Sequence, residues 1–118
     1  MKAPLTAALA CLCMFSALAK SKAEPEYERL VVCSAMATYL AYEYYADGQD
    51  DKSQMLTDIG THGATAAWAS GIRRGISQAD TDRKWKAYIE AFEEIPLPSL
   101  LQTIKGCIAD GLLPKTVI

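Results

Sequence analysis

From Glu24 onward the apolar positions recur at helical spacing, and nowhere do they alternate one-for-one with polar positions over the length of a strand. No Asn-Gly or Asp-Gly pair lies between two β-branched runs, so the pattern predicts an all-α chain of four helices. The first is expected over Glu24 to Ala46. Pro25, Glu26 and Glu28 suit the positive end of its dipole, and Asp47-Gly48 stops it. Cys33, Met36, Ala37, Leu40 and Tyr44 share one stripe of this helix, which turns Cys33 toward the core. The second runs from Lys52 to between Ser70 and Arg74, with Asp50 or Asp51 as N-cap. Its anchors are Met55, Leu56, Ile59 and Trp68, but Gly60, Gly63, Ala64, Ala67 and Gly71 leave much of it thin. An interior glycine costs about 1 kcal/mol relative to alanine, so either the helix bends near Gly60 to Gly63 or a neighbour presses close against it.

Gly75 to Asp80 reads as a turn, with Ser77, Asp80 or Thr81 capping a third helix that reaches Ile95. Trp85, Tyr88, Ile89 and Phe92 fall at i, i+3, i+4 and i+7, the plainest amphipathic pattern in the chain. Pro96-Leu97-Pro98 ends it. Ser99 and Gln102 then have capping-box spacing for a fourth helix, whose face carries Leu100, Leu101, Ile104, Cys107 and Ile108 until Asp110-Gly111 and Pro114. With no repeat or linker, 24–118 is expected to form one compact four-helix domain.

The first 23 residues follow a different pattern: Lys2, then an apolar run from Leu5 to Leu18, then Ala17-Leu18-Ala19 or Ser21-Lys22-Ala23. That is the layout of a secretory signal peptide cleaved after Ala19 or Ala23. The run is short of the roughly 20 residues that span a bilayer, so no stable membrane insertion is expected after cleavage. Ala8-Leu9-Ala10 before Cys11 leaves lipidation of that cysteine as an alternative, and an uncleaved anchor as another. Export places the domain in the periplasm or outside the cell and changes its charge. Removal of all 23 residues takes Lys2, Lys20 and Lys22 from the 12 basic residues while all 14 acids stay, and the net charge moves from −2 to −5. Nucleic acid and anionic lipid are poor partners for such a surface, and a basic protein is the better match. Cys11 and Cys13 leave as well, so Cys33 and Cys107 can form one intramolecular bridge in an oxidising compartment. It would join the first and last helices.

Catalytic chemistry is sparse. His62 is the only histidine, with Asp58 one helical turn before it, but no nucleophile motif accompanies the pair. Asp47, Asp50 and Asp51 lack the ligand spacing of a calcium loop, and Gly71-x-x-x-Gly75 lacks the lysine of a phosphate loop. No metal site, no cofactor and no enzymatic activity are therefore expected. Two surface features stand out instead. Tyr39, Tyr42, Tyr44 and Tyr45 crowd the end of the first helix, with Tyr42 and Tyr45 off the core stripe: either the helix is buried on several sides or these two form a recognition patch. Glu90, Glu93 and Glu94 occupy the last turns of the third helix, where the dipole disfavours them. Either they are a solvated face with Lys86 and Glu90 paired, or they await the cations of a partner. Tyr42, Tyr45, Glu90, Glu93 and Glu94 are thus the candidate partner-binding residues, and the tyrosines would serve a homodimer equally well.

Val32-Cys33-Ser34-Ala35 in the first helix and Cys107-Ile108-Ala109-Asp110 in the last, within an exported chain of this size, resemble periplasmic immunity proteins of type VI secretion amidase effectors. The resemblance implies a small helical, disulfide-containing inhibitor that blocks an effector's active-site cleft, and it assigns no partner-binding residue. A periplasmic stress or chaperone-like protein is the second expectation, and a hydrolase using Asp58 and His62 a more distant third.

Overall fold

A computed structural model describes residues 26–118; the expected leader over 1–23, its cleavage positions, Cys11 and the start of the first helix lie outside the described residues. Four helices follow one another: α1 (Glu26–Ala46), α2 (Asp50–Arg73), α3 (Gln78–Phe92) and α4 (Leu97–Ala109). No strand occurs among the described residues, and the all-α expectation holds.

Helix α1 is the axis of the bundle. Every residue from Leu30 to Ala37 is buried, which an amphipathic surface helix does not allow and a central helix requires. Helix α2 packs antiparallel to it, Gly71 facing Tyr27 and Gly60 facing Thr38. Helix α3 runs parallel to α1, since Thr81 meets Tyr27, Trp85 meets Ser34 and Phe92 meets Tyr39. Helix α4 returns antiparallel, held by the Cys33–Cys107 disulfide, with Cα atoms 6.0 Å apart, and by the Arg29–Asp110 ion pair at 2.7 Å. First and last helices are therefore covalently joined, as the cysteine positions predicted.

The thin body of α2 is explained by contact. The helix is continuous through Gly60 and Gly63, and each glycine sits where α1 or the C-terminal tail comes closest. A Cβ on Gly60 would lie 2.9 Å from Thr38 Oγ1; one on Gly63 would lie 2.7 Å from Leu113 Cδ2 and 3.0 Å from Ser34 Cβ. Close approach of backbones brings more dispersion contacts into the core and offsets the weak helix propensity.

Helix ends correct several expectations. Asp47-Gly48 and Asp110-Gly111 do stop α1 and α4: each glycine takes a positive φ, 77° and 78°, and the next residue donates back to Tyr44 and Cys107. Neither Asp50 nor Asp51 caps α2, which begins one residue after this turn with Gln49 at the cap; Gln49 Nε2 donates instead to Asp47 Oδ2 at 2.7 Å. The two aspartates lie in the first turn, where the positive dipole end favours them. Ser77 is the cap of α3, accepting from the Asp80 N–H. This helix ends at Phe92, short of Ile95, because Glu93, Glu94 and Ile95 each donate three residues back and tighten the chain ahead of Pro96. Ser99 is not the cap of α4. Pro96 already holds an extended backbone at ψ 138°, its carbonyl accepts from Ser99 and Leu100, and the helix starts at Leu97.

Of the buried polar side chains only the Ser70 hydroxyl lacks a partner among the described residues. Tyr27 and Thr81 share a hydrogen bond of 2.9 Å between hydroxyls, and Ser34 accepts from Trp85 Nε1 at 3.2 Å while donating to the Leu30 carbonyl at 2.7 Å. Burial of these groups is tolerated because they are paired. Leu112 and Leu113, past the last helix, are buried too and tie the tail to α1 and α2.

Candidate functional site

The two readings of the tyrosine-rich stretch turn out to divide along α1. Up to Ala41 the helix is central and buried; beyond it the helix leaves the core, and Tyr42 and Tyr45 are 63 % and 69 % exposed. Such exposure leaves large aromatic areas unpartnered among the described residues. Tyr44, on the core stripe, is half-buried, with Lys52 Nζ 5.3 Å above its ring.

Because α1 and α3 are parallel, their C-terminal ends lie together with the start of α2. That end of the bundle collects Glu43, Asp47, Asp50, Asp51, Glu90, Glu93 and Glu94, all exposed, against Lys52 and Lys86. At the opposite end the cations Lys84 and Arg83 are taken up by Glu28 and Asp80. No ion pair joins Lys86 to Glu90, nor engages Glu90, Glu93 or Glu94, among the described residues. The molecule is polarised, and its acidic end is the one with the exposed tyrosines.

Tyr39 registers that field. Its hydroxyl donates to Glu43 Oε1 at 2.7 Å, and its ring meets Phe92 edge-on with centroids 6.0 Å apart. Burial, the hydrogen bond to Glu43 and the charges of Glu43 and Glu93 push its pKa up to about 12. Glu93 is thereby tied to the tyrosine end of α1. The raised pKa favours the neutral phenol in the fold, so its contribution to stability is complete below pH 10 and is lost as pH climbs toward about 12. Ultraviolet titration should show a late tyrosine component that shifts earlier in Glu43→Gln and is lost in Tyr39→Phe.

Beside this end lies a groove of about 460 Å³ between α2 and α3, floored by α1. Thr57, Thr61, Ala64 and Trp68 line the α2 wall, and Asp82, Trp85 and Lys86 the α3 wall. Thr38, Gly60 and Tyr42 line it as well, with Ala67 and Thr81. The walls meet where Trp68 Nε1 donates to Asp82 Oδ1 at 2.7 Å. Both tryptophans of the chain face this space, and both indole N–H groups are already bonded inside the protein. The groove escaped the sequence reading because α2 carries two stripes, only one of them apolar throughout. One, through Leu56, Ile59 and Gly63, faces α1; the other, Thr57, Thr61, Ala64 and Trp68, was hidden among small residues, and its i, i+4, i+7, i+11 spacing was the available signal.

His62 and Asp58 do not form the pair that their spacing allowed. Asp58 accepts from Gln54 Nε2 at 2.9 Å, and His62 is exposed beside a separate shallow crevice shared with Glu26, Arg73 and Leu113. Among the described residues no group of three or more metal-ligating side chains converges, and no helix is long and apolar enough to cross a membrane. No protein-family model, curated protein or solved structure matches the chain.

Proposed function

We propose that this chain is a small exported binding protein that seats a basic protein partner on the acidic, tyrosine-bearing end of its bundle, acting as an inhibitor or immunity protein. One observation carries the reading: Tyr42 and Tyr45 are exposed at the same end of the bundle as Glu90, Glu93 and Glu94, carboxylates with no ion-pair partner among the described residues. Rigid aromatic area at an end that carries unneutralised charge is the composition of a binding hot spot for an oppositely charged surface. The resemblance of the segments around Cys33 and Cys107 makes an exported amidase effector the partner class to try first.

Capture from cell-envelope extract tests the reading. The intact protein should retain one basic protein in a salt-sensitive complex, and Tyr42→Ala with Tyr45→Ala, or Glu90→Lys with Glu93→Lys, should each weaken retention by about tenfold or more. Retention of nothing, or of the same protein by all variants, would contradict it.

A further inference from the structure

We infer that the groove between α2 and α3 receives an amphipathic α-helix of a protein partner, its apolar face seated between Trp68 and Trp85 and its lysines or arginines at the acidic end. The inference rests on the reading of the chain as a binding protein and adds the form of what it binds.

Shape comes first. Along α2 the lining runs from Thr57 to Trp68, which at 1.5 Å per residue is a trough of roughly 16 Å, three turns of a facing helix. Hydrogen bonding decides the conformation of the occupant. Thr57 and Thr61 donate their hydroxyls to the carbonyls of Ser53 and Thr57, and both tryptophan N–H groups are used. The walls are helices whose backbone groups are bonded internally, so no strand edge is offered to an extended peptide. Such a peptide would find scattered hydroxyl acceptors but no ladder for most of its N–H and C=O groups, whereas a helix arrives with them satisfied. Width agrees with this: Gly60, Ala64 and the threonines keep the trough open, and small residues at the crossing let helix axes approach to about 8 Å.

Charge sets the chemistry and the direction. Asp82 lines the groove, using one oxygen for Trp68, and the trough opens at Tyr42 toward the end that carries Glu43, Glu90, Glu93 and Glu94. A helix entering with cations and its positive N-terminus toward that end meets complementary charge there. Lys86 is the only cation in the lining, and its ammonium makes no ion pair among the described residues.

The two tryptophans are the probe. A synthetic leucine-lysine helix of four turns should shift tryptophan emission saturably. A version with a central proline, and one with glutamate in place of lysine, should each bind about tenfold or more weaker. Thr61→Arg, a change at an exposed position that places bulk and positive charge in the trough, should weaken the leucine-lysine helix by about as much while circular dichroism stays unchanged. Asp82→Asn keeps an acceptor for Trp68 and should cost part of the affinity. Equal binding of the proline peptide, no shift with any peptide, or indifference to Thr61→Arg would overturn the inference. So would emission that moves with protein concentration alone as a dimer forms, which would assign the groove to a second copy. Failure here with capture still dependent on Tyr42 and Tyr45 rejects the groove alone; peptide binding without capture rejects the partner reading alone.

Discussion

Removing the Cys33–Cys107 bridge should lower the stability of the fold by about 4 kcal/mol, the largest single effect expected in this chain. The two cysteines are 74 residues apart, so the bridge closes almost the whole described bundle and restricts the unfolded chain accordingly. Both sulfurs sit in the core, Cys33 on the central helix and Cys107 on the face of α4 that packs against it. Without the bridge α4 keeps the Arg29–Asp110 pair, which is partly exposed and worth little, and the burial of Leu100, Ile104, Leu112 and Leu113. Against a typical total of about 5 to 15 kcal/mol, a loss of this size brings the domain near its unfolding limit. Urea unfolding of the oxidised and reduced protein measures it. The reduced form should unfold at much lower urea, with a steeper dependence because its unfolded chain is more open. A difference below about 1 kcal/mol would mean that α4 is held by packing alone.

Gly71→Ala should cost about 2 to 3 kcal/mol, although alanine is the better helix former by about 1 kcal/mol. The added Cβ would lie 2.8 Å and 3.3 Å from two ring carbons of Tyr27 and 3.1 Å from Thr81 Oγ1. That ring cannot give way: it is 2 % exposed and its hydroxyl is pinned at 2.9 Å to Thr81. Relief would have to come from separating α2 from α1 and α3 at once, or from breaking the Tyr27–Thr81 hydrogen bond in the core. Gly106→Ala is the control. Nothing lies within 4 Å of a Cβ there, and the residue is exposed on α4, so alanine should stabilise by about 0.5 to 1 kcal/mol. Thermal unfolding of the two variants should move in opposite directions, and movement in the same direction would refute the close-packing account of α2.

The contrast between these glycines shows what the sequence made legible and what it did not. Helix number and order, the turn of Cys33 and Cys107 to the core, and the stops at Gly48 and Gly111 were readable because each depends on local chemistry or on simple periodicity. The choice between a bent and a tightly packed α2 was not, because it depends on which residues of α1 stand opposite Gly60, Gly63 and Gly71. At the start of α4 the capping-box spacing at Ser99 competes with Pro96, whose fixed ring geometry sets the entry first. At the candidate site the individual residues were legible but not their assembly. Tyr42 and Tyr45 could be placed off the core stripe, yet only the parallel course of α1 and α3 brings Glu90, Glu93 and Glu94 to the same end. The groove lay deeper still, since Trp85 belongs to the regular core stripe of α3 and yet also forms its wall.

The proposed role as a binder is tested most directly by photo-crosslinking in the cell envelope, with the reactive group placed at position 45, at position 90 and, as a control, at exposed Lys105 on α4. The account predicts one discrete adduct with a basic exported protein from the first two positions and none from the third. Adducts of equal yield from all three, or none from positions 45 and 90, would contradict it.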